Sequence, residues 1–259
     1  MAGGKTIIYT PGQINGVRAA AQAAADVLTK LCEAVRPGMS TKELDDLAGF
    51  FIQAAGGTSG SYGYYGYPGQ ICISLNDEVV HGIGVPERII QPEDLVKLDV
   101  VVKLNGYYGD NARTICAGGS PTPEQQKLMD VTRESLRAGI AAALPGNTIN
   151  DIGGAVEETV TANGFSVVED FVGHGCGLHM HEEPSVPNYA MRGRSPVLKP
   201  GMIICIEPMV NVGTWQVKVD KKDKWTVRTA DHSLSAHFEN QILITDKEPE
   251  ILTVWPKNV

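Results

Sequence analysis

Nowhere in the sequence does an apolar run approach the roughly 18 residues that cross a bilayer. The segment around Lys5 is followed only by Ile7 and Ile8, so it lacks the apolar stretch of a secretory signal. A soluble protein of the cytoplasm is expected. There is also no CxxC pair. The five cysteines (Cys32, Cys72, Cys116, Cys176 and Cys205) are odd in number and scattered, which argues against a zinc knuckle or a disulfide framework. Basic charge is scarce as well. The 22 lysines and arginines stand against 30 acids, for a net charge of −8. That balance argues against affinity for phosphate backbones or anionic lipid, so neither DNA nor a membrane is expected as a partner. Gly173-x-Gly175-x-Gly177 lacks the third glycine and the strand-then-helix setting of a dinucleotide fingerprint. No linker or low-complexity stretch divides the chain. Its 259 residues are read as a single catalytic domain with a short N-terminal arm over residues 1–11.

What is present is a chain 42% apolar and rich in glycine, enough to bury a large core. Ile14, Val17, Ala21, Ala24, Leu28, Leu31 and Val35 recur at helical steps, and Pro37-Gly38 stops them. Ser40-Thr41-Lys42-Glu43 has the form of a capping box ahead of Leu44, Leu47, Phe51 and Ile52. A Gly/Tyr loop over 60–69 precedes a strand over 71–75. Strands over 96–104 and 107–116 flank Asn105-Gly106, the strongest short hairpin signal. The second half repeats the order. Thr122-Pro123-Glu124-Gln125 opens a helix running through Ala143, a second helix spans about 150–162, and a histidine segment and strands between Met202 and Thr245 follow. The fold class is α+β, with antiparallel strands inside and helices outside, in two weakly duplicated halves.

The hairpin carries the sharpest inference. With Asn105-Gly106 as a two-residue turn, Leu104 pairs with Tyr107 and Val101 with Asp110. Asp99 lies on the same face, two residues from Val101. The two carboxylates are then diagonal neighbours, roughly 7–8 Å apart between backbones. Leu98, Val100 and Val102 make an exposed strand improbable, and buried carboxylates so close repel unless a cation lies between them. The second half supplies further donors. His174 sits between Gly173 and Gly175, and Glu207 and Glu239 each interrupt an apolar strand. One histidine with four carboxylates is mostly a hard oxygen site. It suits a pair of Mn²⁺, Fe²⁺, Co²⁺ or Zn²⁺ ions, held about 3.5–4 Å apart by bridging carboxylates.

With these residues in place the chain resembles type I methionine aminopeptidase, of the pita-bread fold. The matching segments include Tyr64-Tyr65-Gly66-Tyr67-Pro68, Cys72-Ile73-Ser74-Leu75-Asn76, Val80-His81-Gly82-Ile83, Leu98-Asp99-Val100, Gly109-Asp110, Gly173-His174-Gly175, His181-Glu182-Glu183-Pro184, Ile206-Glu207-Pro208-Met209-Val210 and Leu234-Ser235-Ala236 leading to Glu239. The resemblance runs from about Pro11 to Thr253. It implies removal of the initiator methionine from nascent polypeptides whose second residue is small, by a hydroxide bridging two metal ions. Asp99 would hold one ion, Asp110 and Glu239 would bridge, and His174 and Glu207 would complete the other. Glu207 would also serve as general base, His181 would steady the scissile carbonyl, and His81 would assist the leaving amine. Tyr64, Tyr67, Cys72, Met180 and Trp225 would line the methionine pocket, together with His81 and His181. Main-chain carbonyls of Asn76, Glu78 and Ser235 match a monovalent-cation site of some members. A monomer in transient contact with the ribosome is implied.

The sequence departs from the family pattern at Met180, where an aromatic is usual, at Ser61, which matches a small pocket cysteine, and at His179. These touch pocket shape rather than the ligands. Glu207 and Glu239 lie too close in sequence for the helical insertion of type II members. His232 and His237 match no motif role and are expected at the surface or behind the ligands. Two alternatives share the fold: a proline-directed peptidase, and a binding protein that has lost its metal ligands.

Overall fold

Reciprocal capping boxes start the first helices. In the computed structural model, which describes residues 6–255, Thr10 and Gln13 cap α1 (Pro11–Ala34), and Ser40 and Glu43 cap α2 (Thr41–Ala54). In each pair the side chains satisfy N–H groups that a helix start leaves without partners. The short strands β1 (Thr58–Ser59), β2 (Cys72–Leu75) and β3 (Glu78–Val80) follow, and then the long hairpin β4 (Leu95–Leu104) and β5 (Tyr107–Cys116). Next come α3 (Pro123–Ala142), capped by Thr122 and Gln125, and α4 (Ile149–Ala162). The remaining strands are β6 (Ser166–Val167), β7 (Gly173–Gly175), β8 (Glu182–Val186), β9 (Ile203–Ile206), β10 (Met209–Asn211), β11 (Val217–Val219), β12 (Val227–Thr229), β13 (Ser235–His237), β14 (Glu239–Leu243) and β15 (Glu250–Ile251). Residues 1–5 of the expected arm lie outside the described residues.

The main sheet has the order β1-β4-β5-β14-β9-β7-β8, with β2 added to β4 and β15 to β14. Its pairings are antiparallel. Two three-stranded sheets, β13-β10-β6 and β11-β12-β3, stand beside it. The hairpin register is the one its turn dictates. Asn105 and Gly106 both take positive φ, Leu104 pairs with Tyr107, Val101 with Asp110 and Asp99 with Ala112.

The two halves bury separate cores. One contains Leu28, Leu31, Leu44, Ile73, Leu98 and Val100 under α1 and α2. The other contains Leu128, Leu136, Ile152, Val156, Ile204 and Ile242 under α3 and α4. Smaller clusters join them: Val17 and Ala21 with Ile203 and Leu243, and Val79 and Val80 with Met209 and Val227. At Gly109 the hairpin runs against α1 so closely that a Cβ would lie 2.2 Å from the Ala20 carbonyl oxygen. Glycine is required there by the approach of two backbones.

Candidate metal centre and binding pocket

Five strand segments deliver the ionisable groups to one place. Asp99 lies in β4, Asp110 in β5, His174 in β7 and Glu239 in β14, and Glu207 follows β9 directly. Ligand atoms of Asp99, Asp110 and Glu239 lie within 4.8 Å of one another, as do those of His174, Glu207 and Glu239. Every one of these side chains lines a single cavity of about 670 Å³. Desolvation raises the Asp99 carboxyl to about 7. It also raises Asp110, Glu207 and Glu239 well above the usual carboxylate range, and the neighbouring carboxylates add to the rise. Glu239 Oε1 is buried without a hydrogen-bond donor.

His174 completes the electrostatic picture. Its Nδ1 lies 2.9 Å from the Gly175 carbonyl oxygen, so Nδ1 carries the proton and donates it. Burial, then the neighbouring His181, lower its pKa to about 3, and the ring is neutral. The bare Nε2 lone pair therefore faces Asp110 Oδ2 at 3.8 Å and Glu207 Oε1 at 3.5 Å. These contacts are not ion pairs. A lone pair and four carboxylates that face one another without a positive group fit a divalent cation on chemical grounds. Cys176 and Cys205 also come within 4.8 Å of Asp110 and His174. Burial raises both thiols, which keeps them protonated and favours the oxygen-rich set over a thiolate site.

The rest of the cavity wall is aromatic and sulfur-bearing. Tyr64, Tyr67, Cys72, Met180 and Trp225 all line it, with His81 and His181. The Tyr67 hydroxyl donates to the Gly82 carbonyl at 2.7 Å, and its ring meets Trp225 edge-on at 5.1 Å. His81 takes a positive φ and lies edge-on to Phe171 at 5.4 Å. Burial lowers it to about 4, with His181 contributing. His181 is likewise lowered by burial, and its Nδ1 is 2.8 Å from the Tyr64 hydroxyl. Ser61 is buried in the wall, and His179 is exposed where the same wall opens.

Further residues around the cavity are not singled out by the sequence. Tyr9, in the expected arm, donates to Glu182 Oε2 at 2.6 Å and accepts from the Leu178 N–H at 2.9 Å. Glu182 in turn accepts from the His179 N–H, which anchors the loop bearing Met180 and His181. Phe171 and Met209 add apolar wall. His237 is buried with Nε2 3.7 Å from Glu207 Oε2, while His232 is exposed beside Asp77. The β10–β13 register, which pairs Met209 with His237, brings His237 beside Glu207; the side-chain pattern in the sequence does not give that pairing.

The monovalent-cation residues come together, but not around an open space. Lys97 Nζ donates to the Asn76 carbonyl at 2.9 Å and to the Ser235 carbonyl at 2.8 Å. Burial lowers the Lys97 amine to about 7, while Glu78, Asp77 and Asp94 act in the opposite sense. The Glu78 carboxylate accepts from the Leu75 N–H and pairs with Arg88 and Arg228. A monovalent cation does not fit where a lysine nitrogen already holds two of the three carbonyls.

Four carboxylates and a neutral imidazole at the floor of a half-apolar cavity, within an antiparallel pita-bread fold, define a metal-dependent hydrolase. The profile of metallopeptidase family M24 matches residues 15–246. A methionine aminopeptidase of Clostridium acetobutylicum is 45% identical over 248 residues, covering 96% of this chain and 98% of the relative. The crystal structure of methionine aminopeptidase from Thermotoga maritima superposes with a TM-score of 0.93 at 38% identity, covering 96% of this chain and 99% of that one. A prolidase from Pyrococcus furiosus shares the fold, with a TM-score of 0.78 at 24% identity over 66% of its own length. The chain belongs to metallopeptidase family M24, among its methionine aminopeptidases.

Proposed function

We propose that the chain removes the initiator methionine from nascent polypeptides whose second residue is small. It would do so as a single catalytic domain, a monomer of the cytoplasm in transient contact with the ribosome. The observation that carries the reading is the carboxylate–imidazole cluster opening directly into a pocket of Cys72, Met180, Tyr67 and Trp225. A polarizable thioether is well received by aromatic faces and sulfur. In this reading Asp99, Asp110, His174, Glu207 and Glu239 would together hold a pair of divalent ions. When bound, such ions lower the pKa of a water and polarise the scissile carbonyl.

The protein's own groups do the remaining work. Glu207 takes the proton of the attacking water and returns it to the leaving amine. His181 Nδ1 lies 2.8 Å from the Tyr64 hydroxyl; in this reading the hydroxyl is the donor, which leaves the imidazole proton on Nε2, free to donate to the carbonyl oxygen as it gains charge. His81 is kept neutral by burial and held by Phe171 on the same cavity wall, where it orients the scissile nitrogen.

The test is release of free methionine from a Met-Ala-Ser peptide by chelator-stripped protein, before and after addition of Mn²⁺ or Co²⁺. The expected result is metal-dependent release, none from the N-acetylated peptide, and little from a Met-Lys peptide. No release with any metal from folded protein would overturn the reading.

A further inference from the structure

The Lys97 side chain is fully buried and makes no ion pair with any carboxylate among the described residues. It extends instead to two backbone carbonyls that lie far apart in sequence, Asn76 and Ser235. Each carbonyl sits at a strategic joint. Asn76 takes a positive φ in the turn between β2 and β3. That β2–turn–β3 segment carries Cys72 and leads directly into His81. Ser235 begins β13, which runs through His237 into the strand bearing Glu239.

The cross-strand partner of Lys97 in β5 is Thr114. The Thr114 hydroxyl donates to the His237 carbonyl and accepts from the His237 N–H, both at 2.8 Å. Lys97 and Thr114 therefore grip β13 at alternate residues from one position of the β4–β5 hairpin. Two carbonyls converging on one point are a cation ligand set, and here a lysine nitrogen stands at the point of convergence.

We infer that Lys97 Nζ is a built-in substitute for a bound monovalent cation. It is a positioning residue that reinforces the tie, begun by the Ser235 N–H on the Asn76 carbonyl, between the β2–turn–β3 segment of Cys72 and His81 and the strand leading into Glu239, and it makes this chain indifferent to Na⁺ and K⁺. The inference concerns the scaffold and holds whether or not methionine is the residue released.

The experiment compares thermal melting of the full-length protein in KCl, NaCl and choline chloride at equal ionic strength. Wild type should melt at one temperature in all three. Lys97→Ala removes the lysine donor from both carbonyls, leaving that of Asn76 only the Ser235 N–H at 3.0 Å, and should melt about 5–10 °C lower in choline. It should recover much of that loss, saturably, in K⁺ or Na⁺. A purely structural lysine would show no cation-selective rescue. Thallium(I) NMR gives the direct reading: saturable broadening with the variant and none with wild type. Lys97→Gln, with a longer side chain, serves if the alanine variant does not fold. A saturable K⁺ or Na⁺ stabilisation of wild type, or variants that melt alike in the three salts, would overturn the inference.

Discussion

Glu207 stands between two imidazole nitrogens, with His174 Nε2 3.5 Å from one oxygen and His237 Nε2 3.7 Å from the other. Burial holds both rings neutral, each near 3. Both carboxylate oxygens thus face rings that leave it free to exchange a proton. Glu207→Gln should lower kcat by about 10²- to 10⁴-fold. Steady-state kinetics on a Met-Ala-Ser peptide checks this, and a change confined to KM would remove the base role. Asp99→Ala and Glu239→Ala should each abolish metal-stimulated release while circular dichroism still reports a folded protein; wild-type turnover in either would break the proposed ligand set. At this scale the sequence was informative where backbone geometry alone fixes a neighbour. Asp99 and Asp110 are set as diagonal neighbours by a two-residue turn, and no tertiary knowledge is needed. His237 and Tyr9 were illegible, because each acquires its partner from a segment remote in sequence.

Among the elements, the long ones announced themselves and the short ones did not. Helices α1 to α4 carry apolar faces that recur over several turns, and capping residues mark where they begin. The Thr10–Gln13 cap still went unread, since the apolar periodicity begins only at Ile14. Strands of two or three residues such as β6, β7 and β13 are too short to show a period. Their pairing is set by the sheet into which they fit. Gly109 displays the constraint between elements most sharply. Gly109→Ala would drive a methyl into the Ala20 backbone, so α1 and β5 must part. A loss of about 1–3 kcal/mol or more in denaturant-induced unfolding is expected. Because the neighbouring residue is Asp110, metal affinity should fall as well. Unchanged stability would mean that α1 shifts at no cost.

For the molecule as a whole, the ionisable centre opposes folding until it is filled. A carboxyl raised to about 7, as at Asp99, holds a proton in the folded state that the unfolded chain releases near 4. Stability of the metal-free protein from this source falls as pH rises between those values. The buried neutral histidines His81, His174 and His237 act in the opposite direction, and their effect is complete by about pH 6.5. Lys97, lowered to about 7, adds stability above that value. Above about pH 6.5 the histidines no longer titrate in either state, so the pH dependence of the difference between loaded and stripped protein there reports chiefly on the carboxylates. The melting-temperature gain on adding Mn²⁺ should therefore grow from pH 5.5 to 8, as metal no longer competes with protons. A gain independent of pH would contradict the raised carboxyls.

Both halves contribute side chains to this centre, while the chain passes from one half to the other through Gly118 and Gly119, both at positive φ in an exposed turn before α3. The covalent crossing is thus an exposed turn, whereas the side chains gathered at the cavity from both sides of it are buried or half-buried. A chain cut between Gly119 and Pro121 is expected to behave as two complementing fragments whose reassembly is titrated by divalent metal. Each fragment would bring part of the ligand set, Asp99 and Asp110 from one side and His174, Glu207 and Glu239 from the other. The fold would then serve as a metal-gated split reporter, with its on-state read as cleavage.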